Sequence, residues 1–371
     1  MSQLLLSRTL VCKLVVFVSY FCLSACGDSG PDSSTLSTVY STTFVQGRAS
    51  KGILDNALVR SYQIVDMPGR REVSPYPFGL PVRTNKQGEY RLRIPTDTHA
   101  DSILVKVSAD EHTLMTCDVM AGCLIEGNSL PVPFGDTFRP NSNFELSAVL
   151  ASVDYDYENT VHVTPLSHLA VARAKGLQGG LSVDNIESSI EYVELTLGLT
   201  PGALQLTPPD LSKLDQIAEL SSAEMKTALM SASFLAISNS SDWGHVSEVI
   251  NHAAEKMTLS GSIVTANMGA LPEVALDDLF YQAGEITQKL PIQTENVSHQ
   301  KKLRLILSEI MSAYELISQA PDIIDPVQIS QQPQSATVDE GETVTLVAAA
   351  IGGGTIHYQW RKDEESISGA N

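Results

Sequence analysis

The hydrophobic period of this 371-residue chain changes from strand to helix spacing near residue 163, and nothing else in the sequence restricts its fold as much. Before that point, Tyr90-Arg-Leu92-Arg-Ile94 and Ile103-Leu-Val105-Lys-Val107 alternate with the two-residue period of half-buried strands, and Ala57–Ile64 is a candidate partner. Turn chemistry lies between them, at Thr84-Asn-Lys-Gln-Gly88 and Pro95-Thr-Asp97. After it, apolar residues recur at helical spacing. Thr164 with Pro165 predicts a helix start that Gly176 closes, Ser182 starts a second helix bearing Ile186, Ile190, Val193 and Leu197, and Ser221 with Glu224 forms a capping box. Three further stripes follow: Trp243, Val246, Ile250, Ala253 and Met257; Leu276, Leu279, Phe280, Ala283 and Leu290; Leu303, Leu307, Ile310, Tyr314 and Ile317. The expected fold class is multidomain β + α: a β-sandwich over 39–163, then a helical bundle domain over 164–322.

The first 38 residues are an address, not part of a fold. Arg8 and Lys13 precede a ten-residue apolar run, Leu14–Leu23, too short to span a bilayer, which needs roughly 20 residues. The run ends in Leu23-Ser24-Ala25-Cys26, with small residues before a single thiol. These four residues resemble the lipobox of bacterial lipoproteins. The resemblance implies a signal peptide over 1–25, acyl chains (palmitate among them) on Cys26, and, because Gly27 follows in place of Asp, retention in the outer membrane. Residues 26–38 are rich in Gly, Ser, Pro and Asp and read as a flexible tether. Of five cysteines, Cys12 and Cys22 would leave with the signal and Cys26 is taken by lipid. Cys117 and Cys123 remain, expected to form a disulfide in an oxidising compartment.

Two further resemblances name modules. Gly47, the Ala57-Leu-Val59 strand, Thr84-Asn85-Lys-Gln-Gly88-Glu-Tyr90-Arg-Leu92, and Leu104-Val105-Lys-Val107 resemble the carboxypeptidase regulatory-like (transthyretin-like) domain, with Asn85 where Asp is commoner. That family is a structural module and implies no catalytic residue. Over 326–371, Pro333, Val338, Glu340–Leu346 and Tyr358-Gln-Trp360 resemble the first half of an immunoglobulin-like domain. Trp360 would be its core tryptophan. Ala348 stands at the family's first disulfide position, and the sandwich is incomplete at Asn371. A half-sandwich leaves one apolar face uncovered, so the segment is expected to belong to a longer protein.

Charge and motifs exclude more functions than they support. A formal charge of −19 disfavours nucleic acid, and the densest basic spots (Arg60, Arg70 and Arg71; Lys301, Lys302 and Arg304) form no stripe. His245 and His252 are seven residues apart, too far along a helix for one metal, so no metal site or cofactor is expected. His162 and His168 are expected to cap or to face solvent. Ser298-His-Gln-Lys301 has a serine–lysine spacing without its companion motifs, and Gly352-Gly-Gly354 lacks the lysine of a phosphate loop. Asp154-Tyr-Asp156-Tyr-Glu158 could offer oxygen ligands to Ca²⁺, but without a placed glycine and distant Glu it reads as a solvated connector. The expectation is therefore a non-enzymatic, lipid-anchored envelope protein serving surface display, adhesion, or protein or glycan binding. An envelope enzyme or enzyme accessory with a pocket among the helices, and a periplasmic scaffold, are the alternatives.

Overall fold

Why the strands form where they do is clearest at the Thr84–Gly88 turn. Thr84 is buried, where its hydroxyl donates to the Leu54 carbonyl (2.6 Å) and accepts from the Ala57 N–H (2.8 Å). Asn85 Oδ1 accepts from the N–H groups of Gln87 and Glu89 (2.9 and 2.8 Å), and Gly88 takes the left-handed φ of +74° that closes the turn. The motif residues thus staple three chain segments at one corner. The computed structural model describes residues 43–95, 100–125, 130–240, 242–264, 266, 272–319, 328–339, 343–351, 358–362 and 365–367. The lipobox, Cys26, the tether and Gly352–Gly354 lie outside them.

The β part comprises β1 (Thr43–Arg48), β2 (Leu54–Asp55), β3 (Leu58–Met67), β4 (Arg70–Pro77), β5 (Val82–Arg83), β6 (Glu89–Ile94), β7 (Ile103–Ser108), β8 (Leu114–Thr116), β9 (Thr137–Phe138), β10 (Glu145–Leu150) and β11 (Asn159–Thr160). One sheet runs β10-β7-β3-β4 with β5 also on β3, a second β11-β1-β6, and a third β2-β8-β9. The β3–β7 pair is antiparallel, with Val59 opposite Val107 and Ser61 opposite Val105, which turns Val59, Val105 and Val107 into the core. In β6, Tyr90, Leu92 and Ile94 are buried and the residues between them exposed, the alternation the sequence predicts.

β11 returns to lie parallel to β1, with Val45 opposite Asn159, and a further bridge joins Ala49 to Val163. Here Gly47 has no substitute: a Cβ would sit 1.7 Å from the Val161 carbonyl oxygen and 2.9 Å from Tyr90 Oη. Tyr90 Oη donates to the same carbonyl (2.5 Å), so tyrosine and glycine together set the spacing of the returning strand. We expect Gly47→Ala to lower unfolding stability by about 1–3 kcal/mol through overpacking. Gln46→Ala, next to it on the same strand, should stay within roughly 0.5 kcal/mol, as read by urea melts.

Six helices follow among the described residues: α1 (Pro165–Gly176), α2 (Val183–Thr196), α3 (Ser222–Ser238), α4 (Val246–Ser260), α5 (Leu276–Lys289) and α6 (Val297–Gln319). Their starts are those read from the sequence at α1, α2 and α3. Thr164 and Ser167 cap α1 reciprocally, Ser182 accepts from Asn185 N–H, and Ser221 and Glu224 close the box on α3. The α1 and α4 backbones cross closely at Gly176, where a Cβ would lie 2.1 Å from the Thr258 carbonyl oxygen. Arg173 is fully buried at this crossing, donating through Nε to the Gly261 carbonyl (2.9 Å) and lying over the Tyr192 ring (4.1 Å).

Sheets and helices share one continuous core across residue 163, in which Val45, Leu92 and Leu146 join Leu166, Leu229 and Phe280. The chain is thus built of mixed, β-rich sheets and six described helices. Among the described residues no helix is long and apolar enough to cross a membrane. In the C-terminal stretch, β12 (Gln328–Gln331) pairs with β13 (Ala349–Ile351), and β14 (Arg361–Lys362) with β15 (Glu365–Ser366). Residues 343–348, which fall in the part that resembles the opening of an immunoglobulin-like domain, adopt no strand, and Val344, Leu346 and Val347 are 42%, 43% and 52% exposed. No opposing layer covers them among the described residues, and an uncovered apolar face cannot hold a strand in place.

Candidate functional site

The weld between β11 and α1 leaves a hollow on the free side of β11, bounded by β10, α1, α2 and the 3-10 turn Ala203–Gln205. Its volume is about 450 Å³, within the roughly 300–1,000 Å³ of small-molecule sites. Leu150, Val161, Ala170, Val171, Ile190 and Leu204 make its walls apolar, while Thr160, His162, Ser167, Glu187 and Gln205 supply polar groups. Glu194 shapes one side from behind. This buried carboxylate accepts from the N–H groups of Gly202 and Leu204 (both 2.9 Å) and so fixes the turn that carries Leu204 and Gln205.

A second hollow of about 630 Å³ crosses the outer face of the β11-β1-β6 sheet, and it shares Thr160 and His162 with the first. Its lining is polar: Gln46, Arg48, Arg83, Asn85, Glu89 and Arg91. Arg48 pairs with Glu89 (3.1 Å), Arg83 with Asp110 (2.5 Å) and Arg91 with Glu158 (2.6 Å), so the guanidinium charge is balanced. The Arg83 hydrogen bonds hold the Asp110 carboxyl well below the usual carboxylate range.

His162 stands where the two hollows meet. It is buried, contrary to the solvent-facing or capping role expected of it. Its Nδ1 accepts the Arg48 backbone N–H (3.1 Å), and because that donor has no alternative role, the ring proton sits on Nε2. Nε2 lies 3.5 Å from Thr207 Oγ1. Desolvation, helped by the Arg48 charge, pushes the His162 pKa down to about 4, so the ring is neutral near pH 7. His168 also departs from expectation: its Nδ1 is 2.9 Å from Ser147 Oγ, and desolvation, then Lys175 and Lys106, lower its pKa to about 4. Ser and His at this distance are the residue types of a nucleophile and its base. Ser147 is only 2% exposed, however, and neither residue lines a hollow, so the pair works as a structural contact.

The remaining sequence candidates are dispersed. Ser298 and Lys301 are exposed on the first turn of α6, where the Ser298 N–H caps onto Asn296 Oδ1 (2.9 Å). Asp154 and Glu158 are exposed, the latter paired with Arg91, and Asp154 Oδ1 accepts the Asp156 N–H (2.9 Å) as a turn residue does. His252 packs edge-on against Trp243, ring centroids 5.3 Å apart. Among the described residues, no cluster of three or more His, Cys, Asp or Glu side chains could hold a metal.

Cys117 and Cys123 are joined in a disulfide, Cα atoms 5.8 Å apart, both fully buried. Beside it lies a pair that spacing could not reveal. Lys51, 0% exposed, donates through Nζ to both Asp118 oxygens (2.9 and 3.1 Å), and the Gly52 N–H donates to Oδ2 (2.8 Å). The two residues are far apart in sequence, and only the β2–β8 pairing, with Leu54 opposite Met115, brings them together. No protein-family model, curated protein or solved structure matches the chain.

Proposed function

We propose that this chain is an envelope lipoprotein, anchored through acyl chains on Cys26 at the outer membrane, whose sheet-and-helix body is a non-enzymatic binding module for surface display, adhesion, or capture of a protein or glycan. The observation that carries the reading is the Cys117–Cys123 disulfide, a bond that persists in oxidising compartments, in a chain headed by Arg8, Lys13 and Leu23-Ser24-Ala25-Cys26. The transthyretin-like and immunoglobulin-like resemblances belong to the same reading, since both modules commonly build surface proteins. The site chemistry favours binding over turnover. The one Ser–His contact described is shut in the core, and His162 is a neutral donor beside an apolar hollow. The net charge of about −21 left once Arg8 and Lys13 depart with the signal would keep the body off anionic surfaces and leave the attachment to lipid.

Cys26→Ala tests the anchor. The expected result is transfer of the protein from the membrane pellet to the soluble or unprocessed fraction, with loss of the acyl mass increment by mass spectrometry. An unchanged mass and an unchanged detergent partition would reject the lipoprotein reading.

A further inference from the structure

The two hollows differ in chemistry but adjoin. One is apolar, about 450 Å³, between β10, α1 and α2; the other is polar, about 630 Å³, on the sheet face; Thr160 and His162 belong to both. A wholly apolar ligand would leave the polar hollow unused, and a free sugar would gain nothing from the apolar one. A molecule with a tail and a head uses both. We propose that this composite site binds a single-tailed amphiphile with an uncharged, hydroxyl-rich head, its alkyl tail among Leu150, Val171 and Ile190 and its head over β11 against the polar side chains of β1 and β6. The inference rests on the binding-module reading and gives it a ligand class.

Three observations set the head chemistry. His162 carries its proton on Nε2, as the Arg48 N–H at Nδ1 requires, and faces Thr207 Oγ1 (3.5 Å), so the pair brings a neutral imidazole and a hydroxyl to the junction. Gln46 lines the polar hollow with an amide that both donates and accepts, and Glu89, held by Arg48 (3.1 Å) and Asn85 (3.0 Å), keeps further acceptor lone pairs, the mixture that hydroxyl groups satisfy as both donors and acceptors. The guanidinium groups are already paired with Glu89, Asp110 and Glu158, and Glu187 stands at the apolar hollow, so no net positive charge is left to favour an anionic head. Thr160, exposed on the edge strand, is the threshold between the two parts.

The test uses the full-length Cys26→Ala chain, so that ligand binding is read independently of lipid anchoring and either proposal can fail alone. N-phenyl-1-naphthylamine, a neutral apolar fluorophore, reports the tail hollow, and n-octyl glucoside below its micelle concentration is the competitor. The fluorophore should bind and be displaced by octyl glucoside, and octanoate, with the same tail length class but an anionic head, should displace it at least about tenfold less well. Ala151→Phe, at the lip of the apolar hollow, should abolish both signals on an unchanged circular-dichroism spectrum. Thr160→Arg should keep the fluorophore and weaken octyl glucoside by about tenfold. Three results would overturn the proposal: no fluorophore binding, binding unaffected by Ala151→Phe, or octanoate competing as well as the glucoside. Octyl glucoside binding unchanged in Thr160→Arg would likewise remove the head subsite.

Discussion

Asp118→Ala is expected to destabilise the fold by about 3–5 kcal/mol, the usual cost of leaving one member of a buried ion pair uncompensated. The attraction between Lys51 and Asp118 at 2.9 Å is about 6 kcal/mol at an effective dielectric of 20. Desolvation of each ion costs several kcal/mol, so the intact pair is close to neutral in net terms. Burial is indeed the larger influence on the Lys51 amine and lowers its pKa, with Asp118 opposing. Removing Asp118 takes away the opposing effect, and the amine must stay charged without a partner or give up its proton. The substitution also leaves the Gly52 N–H, at a left-handed φ of +59°, without its acceptor. The double variant Lys51→Met/Asp118→Asn removes the charges but keeps an acceptor for Gly52, and it should recover most of the loss. Urea unfolding of the unsubstituted protein, Asp118→Ala and the double variant checks the result. A single-variant loss below about 1 kcal/mol would show that the pair is not sealed from solvent.

The second large effect is acid sensitivity. His162 and His168 both have folded pKa values lowered to about 4 against an ordinary 6.5. Between these values the unfolded chain binds protons that the folded one refuses, so stability rises with pH across that window. The contribution is complete above pH 6.5 and is lost as pH falls to about 4. Each histidine accounts for at most about 3 kcal/mol, from the shift at 1.36 kcal/mol per unit. Carboxylates held low by partners, such as Asp110 and Glu89, begin to lose their contribution as pH falls through their ordinary values, so they overlap the acid end of the histidine window and leave its upper part to the histidines. His162→Asn/His168→Asn keeps an oxygen near each Nδ1 position and should flatten the melting temperature between pH 6.5 and 4, which thermal scans in a series of buffers would show. A slope unchanged by the double variant would place the acid sensitivity elsewhere.

Local chemistry was legible wherever a residue acts on its own neighbourhood. Thr164, Ser182 and Ser221 cap helices because an unpaired first-turn amide needs an oxygen within three residues, a requirement written entirely in local sequence. The Thr84–Gly88 turn is of the same kind. The site was less legible. His162 carried no readable signal, because its neutrality comes first from burial by distant segments and then from the charge of Arg48, on a strand more than a hundred residues earlier. Residues 343–348 form no strand, since a local resemblance does not decide whether another layer covers the apolar side chains.

Sequence alone determined that strands give way to helices near residue 163, which residues start those helices, and which faces are apolar, because periodicity and capping are short-range properties. Tertiary structure alone decided that β11 returns parallel to β1, that α1 docks on β10 so both regions share a core, and that Lys51 meets Asp118. It also placed a polar and an apolar hollow on either side of His162. Those outcomes depend on which of several apolar faces pack together, and that choice is made by shape and by the pairing of buried polar groups over long sequence separations.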